Sequence, residues 1–242
     1  MNNGMKLEPI PENWDTALAV VAHPDDLEYG AASAIARWTA QGKRITYLLL
    51  TRGEAGIDSI APEEAGPLRE AEQRASASEV GVHDVEFLYH QDGIIEYSKF
   101  LRRDIARAIR IYRPEMLITI NHGLYFPGSR LNMADHRWAG LAVLDAARDA
   151  GNRWIFPELL EEGLEPWGKV AMVCIGGSLN PTHAVDVTQF IDKGVDSLRR
   201  HETYIKNLQS NFNPDEFLRN MSSGTGELFG CKYAVSFEVI WI

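Results

Sequence analysis

Residues 17–26 read Ala17-Leu18-Ala19-Val20-Val21-Ala22-His23-Pro24-Asp25-Asp26. The apolar run suits a strand buried on both faces. It stops abruptly at one imidazole and two carboxylates, and the helix-forming segment Ala31–Ala40 follows. Strand, sharp turn and helix in that order put His23, Asp25 and Asp26 at the carboxyl end of a strand. Open α/β sheets form their ligand crevices at that end.

Outward from this stretch the same alternation recurs. Strands are expected at 17–22, 45–51, 85–89, 116–120 and 169–176, and helices at 29–41, 68–80, 97–112, 136–150 and 189–208. The helix at 97–112 carries Phe100, Leu101, Ile105, Ala108, Ile109 and Tyr112 at three- and four-residue spacing. Strands alternating with helices predict an α/β fold: a single Rossmann-like domain with a mostly parallel sheet and helices on both faces. Residues 1–15 read as a lead-in draped over the surface, and 209–242 as a C-terminal extension packed on the domain. Within it 209–230 is polar and loop-like, while Tyr233–Ile242 is an apolar strand or tail with no assigned place in the sheet. The connection 121–134, rich in Gly, Pro and Asn, is a long loop of the kind that carries function.

Of the 242 residues 45% are hydrophobic, which suits one compact α/β domain. No run of 18 apolar residues predicts a membrane helix, and the polar start lacks the regions of a signal peptide, so a cytoplasmic location is expected. Cys174 and Cys231 are too few for a disulfide framework or a cysteine metal site. A net charge of −10 argues against nucleic acid and anionic membranes as partners. It leaves a neutral small molecule open as substrate, and a homo-oligomer open as the assembled form. A nucleotide site is disfavoured as well. No Gly-x-Gly-x-x-Gly follows the first strand, and the carboxylates there would repel phosphate.

Histidine and carboxylate ligands suit zinc, and a catalytic zinc keeps three protein ligands. His23 and Asp26, three apart across a turn, can face one ion. The third ligand has to come from another strand end, and His136, after the long fourth loop, is the candidate. The ordinary alternative is structural: Asp25 or Asp26 caps the first helix, Asp135 caps the later one, and His23 is a hydrogen-bonded histidine beneath a turn.

Several ordered motifs resemble the LmbE-like, or PIG-L, family of zinc-dependent de-N-acetylases. They are His23-Pro24-Asp25-Asp26, Thr51-Arg52-Gly53-Glu54-Ala55-Gly56, Arg69-Glu70-Ala71-Glu72, Gln91-Asp92-Gly93, Ala134-Asp135-His136-Arg137, Asp186-Val187-Thr188 and the segment Lys193–His201. The resemblance implies Zn²⁺ on His23, Asp26 and His136, with Asp25 as general base and Arg69 and Asp92 nearer the substrate sugar. It implies removal of an N-acetyl group from an N-acetylglucosamine-type sugar or glycoconjugate, releasing acetate and a free amine. Cleavage of a larger sugar-linked amide, as in a thiol-sugar conjugate, is the near alternative, and a non-catalytic member of the fold a remoter one. In one place the chain departs from the family. Where the family's distal motif begins with a histidine that helps hold the tetrahedral intermediate, this chain has Met133, which donates no hydrogen bond. His122, at the head of the same loop, is the candidate substitute, ahead of His201. If His122 fills that part, its replacement by Ala lowers kcat by about tenfold or more, as expected for one lost oxyanion donor.

Overall fold

The computed structural model describes residues 6–208 and 212–242, so parts of the expected lead-in and of the polar C-terminal segment lie outside the described residues. Ten strands are present among them: β1 Glu8–Pro9, β2 Thr16–Val21, β3 Arg44–Leu49, β4 Asp84–Phe87, β5 Met116–Ile120, β6 Tyr125–Phe126, β7 Arg130–Leu131, β8 Met172–Gly176, β9 His183–Asp186 and β10 Ala234–Trp241. The helices are α1 Asp26–Gly30, α2 Ala32–Ala40, α3 Pro62–Glu79, α4 Lys99–Tyr112, α5 Ala134–Asp149, α6 Glu158–Glu161, α7 Ile191–Arg199, α8 Glu202–Asn207 and α9 Pro214–Phe229.

Eight strands form one sheet in the order β1-β9-β10-β8-β5-β2-β3-β4. Every pairing is parallel except those of β10, which runs antiparallel to both β8 and β9. Central strands β5 and β8 are buried at every residue, as expected of strands covered on both sides. The edge strand β4 alternates exposed and buried. Helices α4 and α5 pack together over β2 and β5, while α2, α3, α7 and α9 form a second, mutually packed layer. From β2 the chain progresses outward through β3 to β4, then returns to the other side of β2 with β5. The reversal lies between β2 and β5, and crevices open at such switch points. In register, Ala19 of β2 lies beside Ile118 of β5, and Val21 beside Leu49 of β3. The turns leaving all three strands therefore emerge side by side.

The structure corrects several expectations. The first helix is two, α1 and α2, broken at Ala31, whose φ of −133° is not helical. The last long helix is also two, broken at Arg200–His201 between α7 and α8. The loop 121–134 contains the hairpin β6–β7. Asp135 caps nothing: the cap position of α5 is Met133, and Asp135 lies inside the helix. The segment expected to be loop-like before residue 230 holds the sixteen-residue helix α9. Its cap Asn213 accepts from the Asp215 and Glu216 amides, and Gly230 in the left-handed region ends it. The apolar tail is no appendage, because β10 is inserted between β8 and β9 within the sheet.

Candidate active site

The turn after β2 is where the sheet delivers its chemistry. Asp25 occupies the cap position of α1 with φ 84° and ψ −18°, a left-handed conformation that costs a non-glycine residue about 1–3 kcal/mol. It gains no capping in return, since its side chain makes no cap hydrogen bond. Neither does Asp26 serve the helix: its Oδ2 accepts from the His23 amide at 2.8 Å. Both carboxylates are thus free of the ordinary helix-capping task.

From the opposite side, α5 brings His136 to the same point. His23 Nδ1 lies 3.2 Å from His136 Nε2. His136 Nε2 lies 3.1 Å from Asp26 Oδ1, and His23 Nδ1 is 3.7 Å from Asp26 Oδ2. The outer nitrogens of both rings are committed elsewhere. His23 Nε2 is 3.0 Å from Asp92 Oδ1 and 3.2 Å from Asp135 Oδ2, and His136 Nδ1 is 3.1 Å from Asn132 Oδ1. Each outer nitrogen therefore carries a proton, and the two inner nitrogens face each other beside a carboxylate. Three such atoms this close need positive charge between them, a proton in the ion-free chain or a bound cation. Two imidazole nitrogens and one carboxylate oxygen are a donor set suited to zinc. Partners on the outer nitrogens are also what fixes the tautomer and orientation of a metal-ligating histidine.

A second grouping, His23 with Asp92 and Asp135, has comparable spacing. It is already satisfied by hydrogen bonds. Asp92 accepts from the Ala55 amide at 2.8 Å, and Asp135 accepts from the amides of Gly93 and Ile95 at 2.7 and 3.1 Å. Burial depresses the basicity of His23, but Asp135, Asp26 and Asp92 more than offset it and hold its ring well above the ordinary range.

Asp25 stands beside this cluster, almost fully buried, and its Oδ2 has no hydrogen-bond partner among the described residues. Burial drives its carboxyl up to about 8; Arg69 opposes the rise and Asp26 adds to it. Arg69 Nη2 is 3.4 Å from Asp25 Oδ1. The same Nη2 donates to the Pro24 carbonyl at 2.7 Å and Nη1 to the Gly53 carbonyl at 3.0 Å, with the guanidinium beneath the Tyr204 ring. Gly53 and Gly56 leave room for it, because a Cβ at either position would run into the guanidinium. The glycines of Thr51–Gly56 and the arginine of the next helix are therefore one feature.

Of the residues expected at the site, His23, Asp25, Asp26 and His136 are brought together. Asp92 joins them through the His23 ring. Arg69 is buried under the turn, 3.4 Å from Asp25. His122 forms no hydrogen bond or ion pair with those four among the described residues. It packs on Gly140 of α5, one helical turn beyond His136, with Nδ1 buried and unpartnered. Burial lowers its pKa. The sequence reading missed Asn132, which orients His136, and read Asp135 as a cap when it orients His23. A polar residue four before His136 on the approach to the helix was the available signal for Asn132.

Residues 18–147 match the family model described as PIG-L, GlcNAc-PI de-N-acetylase. The chain belongs to this family. The chain is 27% identical over 220 residues to the diacetylchitobiose deacetylase of Thermococcus kodakarensis, covering 90% of this chain and 80% of that protein. In fold it is similar to the N,N'-diacetylchitobiose deacetylase of Pyrococcus horikoshii, with a TM-score of 0.83 and 22% identity over 95% of this chain and 85% of the other. The 4-carboxy-2-hydroxymuconate hydratase GalB of Pseudomonas putida shares the fold too, with a TM-score of 0.74 and 19% identity over 94% and 97% of the two chains. The PIG-L fold thus carries more than one named activity.

Proposed function

We propose that this chain is a zinc-dependent hydrolase that removes the acetyl group from an N-acetylglucosamine-type sugar or glycoconjugate. His23, Asp26 and His136 would hold the ion. A divalent cation there supplies acidified water and polarises the acetamide carbonyl. The chain's own contribution centres on Asp25, and its Oδ2, without a partner among the described residues and beside the convergent donor atoms of His23, Asp26 and His136, is the observation that carries the proposal. The charge of a cation held beside it would draw the Asp25 carboxyl below the value of about 8 that burial gives it, leaving Oδ2 ionised to accept the proton of the attacking water. Having gained that proton, the buried carboxyl returns it to the departing amine nitrogen. Arg69 limits the swing of the carboxylate from below, and Asp92, Asp135 and Asn132 hold the two imidazoles in the orientation the cation needs.

Exposed Ile94, Tyr125, Leu131 and Met133 rise from the loops around the site, and the Phe126 ring meets His136 edge-on at 5.7 Å. Such surfaces suit the apolar face of a sugar or its aglycone. No helix among the described residues is long and apolar enough to cross a membrane. The proposed enzyme is one catalytic domain spanning the chain and works in the cytoplasm.

The test is acetate release. Zinc-loaded protein offered N-acetylated mono- and disaccharides and their conjugates is expected to yield equal amounts of acetate and primary amine. Stripping the metal with a chelator is expected to stop turnover, and zinc to restore it. Amine without acetate identifies the larger-amide alternative. Water addition to an unsaturated carboxylate, with neither product, identifies a hydratase. Full turnover in the stripped protein rules the metal role out. His122 is measured in the same assay: a kcat lowered tenfold by His122→Ala gives it a part, and an unchanged kcat removes it.

A further inference from the structure

Helix α3 meets the turn 24–28 along one face. Arg69, Gln73 and Ser76 are four and three residues apart, the spacing that lines side chains up on a helix, and all three are buried. Arg69 Nη2 donates to the Pro24 carbonyl. The Asp25 amide donates to Gln73 Oε1 at 2.8 Å, and Gln73 Nε2 donates to Glu28 Oε1 at 2.9 Å. Ser76 Oγ donates to that same Glu28 oxygen at 2.7 Å. Gln73 is fully enclosed, and its amide has a single workable orientation. The Asp25 N–H requires an acceptor, and the Glu28 carboxylate requires a donor. The residue held this way is the left-handed Asp25, a conformation that persists only where the surroundings over-determine it.

We infer that Gln73 is a positioning residue: its side-chain amide locks the left-handed turn at Asp25 and so sets the direction in which the Asp25 carboxylate faces the His23–Asp26–His136 cluster. The inference rests on Asp25 as the base. Among the described residues the Gln73 side chain hydrogen-bonds Asp25 and Glu28 and none of His23, Asp26 and His136. Asp26 has its own tether, the His23 amide at 2.8 Å, so loosening Asp25 leaves the ligand set in place.

Three variants test it in the zinc-loaded full chain. Gln73→Leu removes both hydrogen bonds at similar size. Gln73→Glu keeps the acceptor for Asp25 but sets a carboxylate against Glu28. Glu28→Gln combined with Gln73→Glu exchanges the two groups and restores a donor–acceptor pair. The single variants are expected to lose about tenfold or more in kcat, the scale of a misplaced catalytic group. KM is expected to stay within about threefold and bound zinc unchanged, with faster hydrogen exchange at the Asp25 amide. The exchanged pair is expected to recover most of the lost kcat. A near-normal kcat in either single variant overturns the inference. So does loss of zinc along with kcat, or an exchanged pair no better than Gln73→Glu. Should Gln73→Leu fail to fold, the comparison of Gln73→Glu with the exchanged pair decides. If the unmodified protein releases no acetate, the base assignment has failed separately; amide exchange then judges Gln73 alone, and unchanged protection of Asp25 in the variants rejects it.

Discussion

Asp25→Asn is expected to keep its zinc and lose about 10²–10⁴-fold in kcat, the usual contribution of a general base, with KM little altered. Asn retains the shape of the carboxylate and tolerates the left-handed backbone seen at this position, so the turn survives. What disappears is the acceptor for a proton at Oδ2. The substitution also has a second effect, of opposite sign, on stability. In the folded chain the Asp25 carboxyl titrates at about 8, above the ~3.9 of an ordinary aspartate. Between those values the folded state holds a proton that the unfolded state has released. A carboxyl raised in this way removes stability as pH rises through the window, and the whole penalty is present above pH ~8. Chelator-stripped Asp25→Asn should therefore melt above stripped wild type at pH 8–9, and the gap should narrow as the pH is lowered toward 4. Each kcal/mol of relief raises Tm by about 2–4 °C in a chain of this size. A variant with wild-type turnover, or one melting below the wild type at pH 9, refutes the burial-raised base. Lost turnover with raised stability is the signature of a group strained for its chemistry.

How far the sequence could be read follows from where each signal is local. Residues 17–26 disclosed the strand, the turn and the placing of His23 and Asp26 together because the apolar run and the break are adjacent. His136 was legible because a parallel sheet puts the ends of neighbouring strands together, and β2 and β5 are such neighbours. The place of β10 was not legible. Strand pairing across the β8 and β9 edges is decided by long-range packing that no local pattern records. Helix α9 was hidden by Ser222, Ser223, Gly224 and Gly226, poor helix formers, although Asn213-Pro214 and Gly230 marked both its ends. Tertiary contact overrode propensity there. The part played by Asp135 was misread for a similar reason. An aspartate near a helix start is usually a cap, and only the loop after β4, folded over from another strand, turns it toward His23. Gln73 left no sequence trace beyond its four-residue distance from Arg69.

Removing either imidazole of the cluster is expected to abolish zinc retention, but the two losses should differ in the stripped protein. A three-ligand site reduced to two no longer holds zinc through dialysis, so bound metal falls from about one per chain to near zero in both His23→Ala and His136→Ala. His136 is hydrogen-bonded to Asn132 and paired with one carboxylate, Asp26. His23 sits between three, with Asp26 on one side and Asp92 and Asp135 on the other. Taking it away leaves those buried carboxylates facing one another without the cation that separated them. Deleting the partner of a buried charge costs about 3–5 kcal/mol. Stripped His23→Ala should therefore melt roughly 10 °C below stripped wild type, with His136→Ala distinctly closer to it. The same pair of variants separates the two groupings that share the His23 ring. An ion bound through Nε2 among Asp92 and Asp135 would survive His136→Ala and be lost in Asp92→Asn. An ion bound through Nδ1 with Asp26 requires the reverse, because His136 supplies a ligand there while Asp92 only steers the ring. Zinc retained by His136→Ala would therefore move the metal to the other side of the imidazole and leave Asp25 without a cation to work beside.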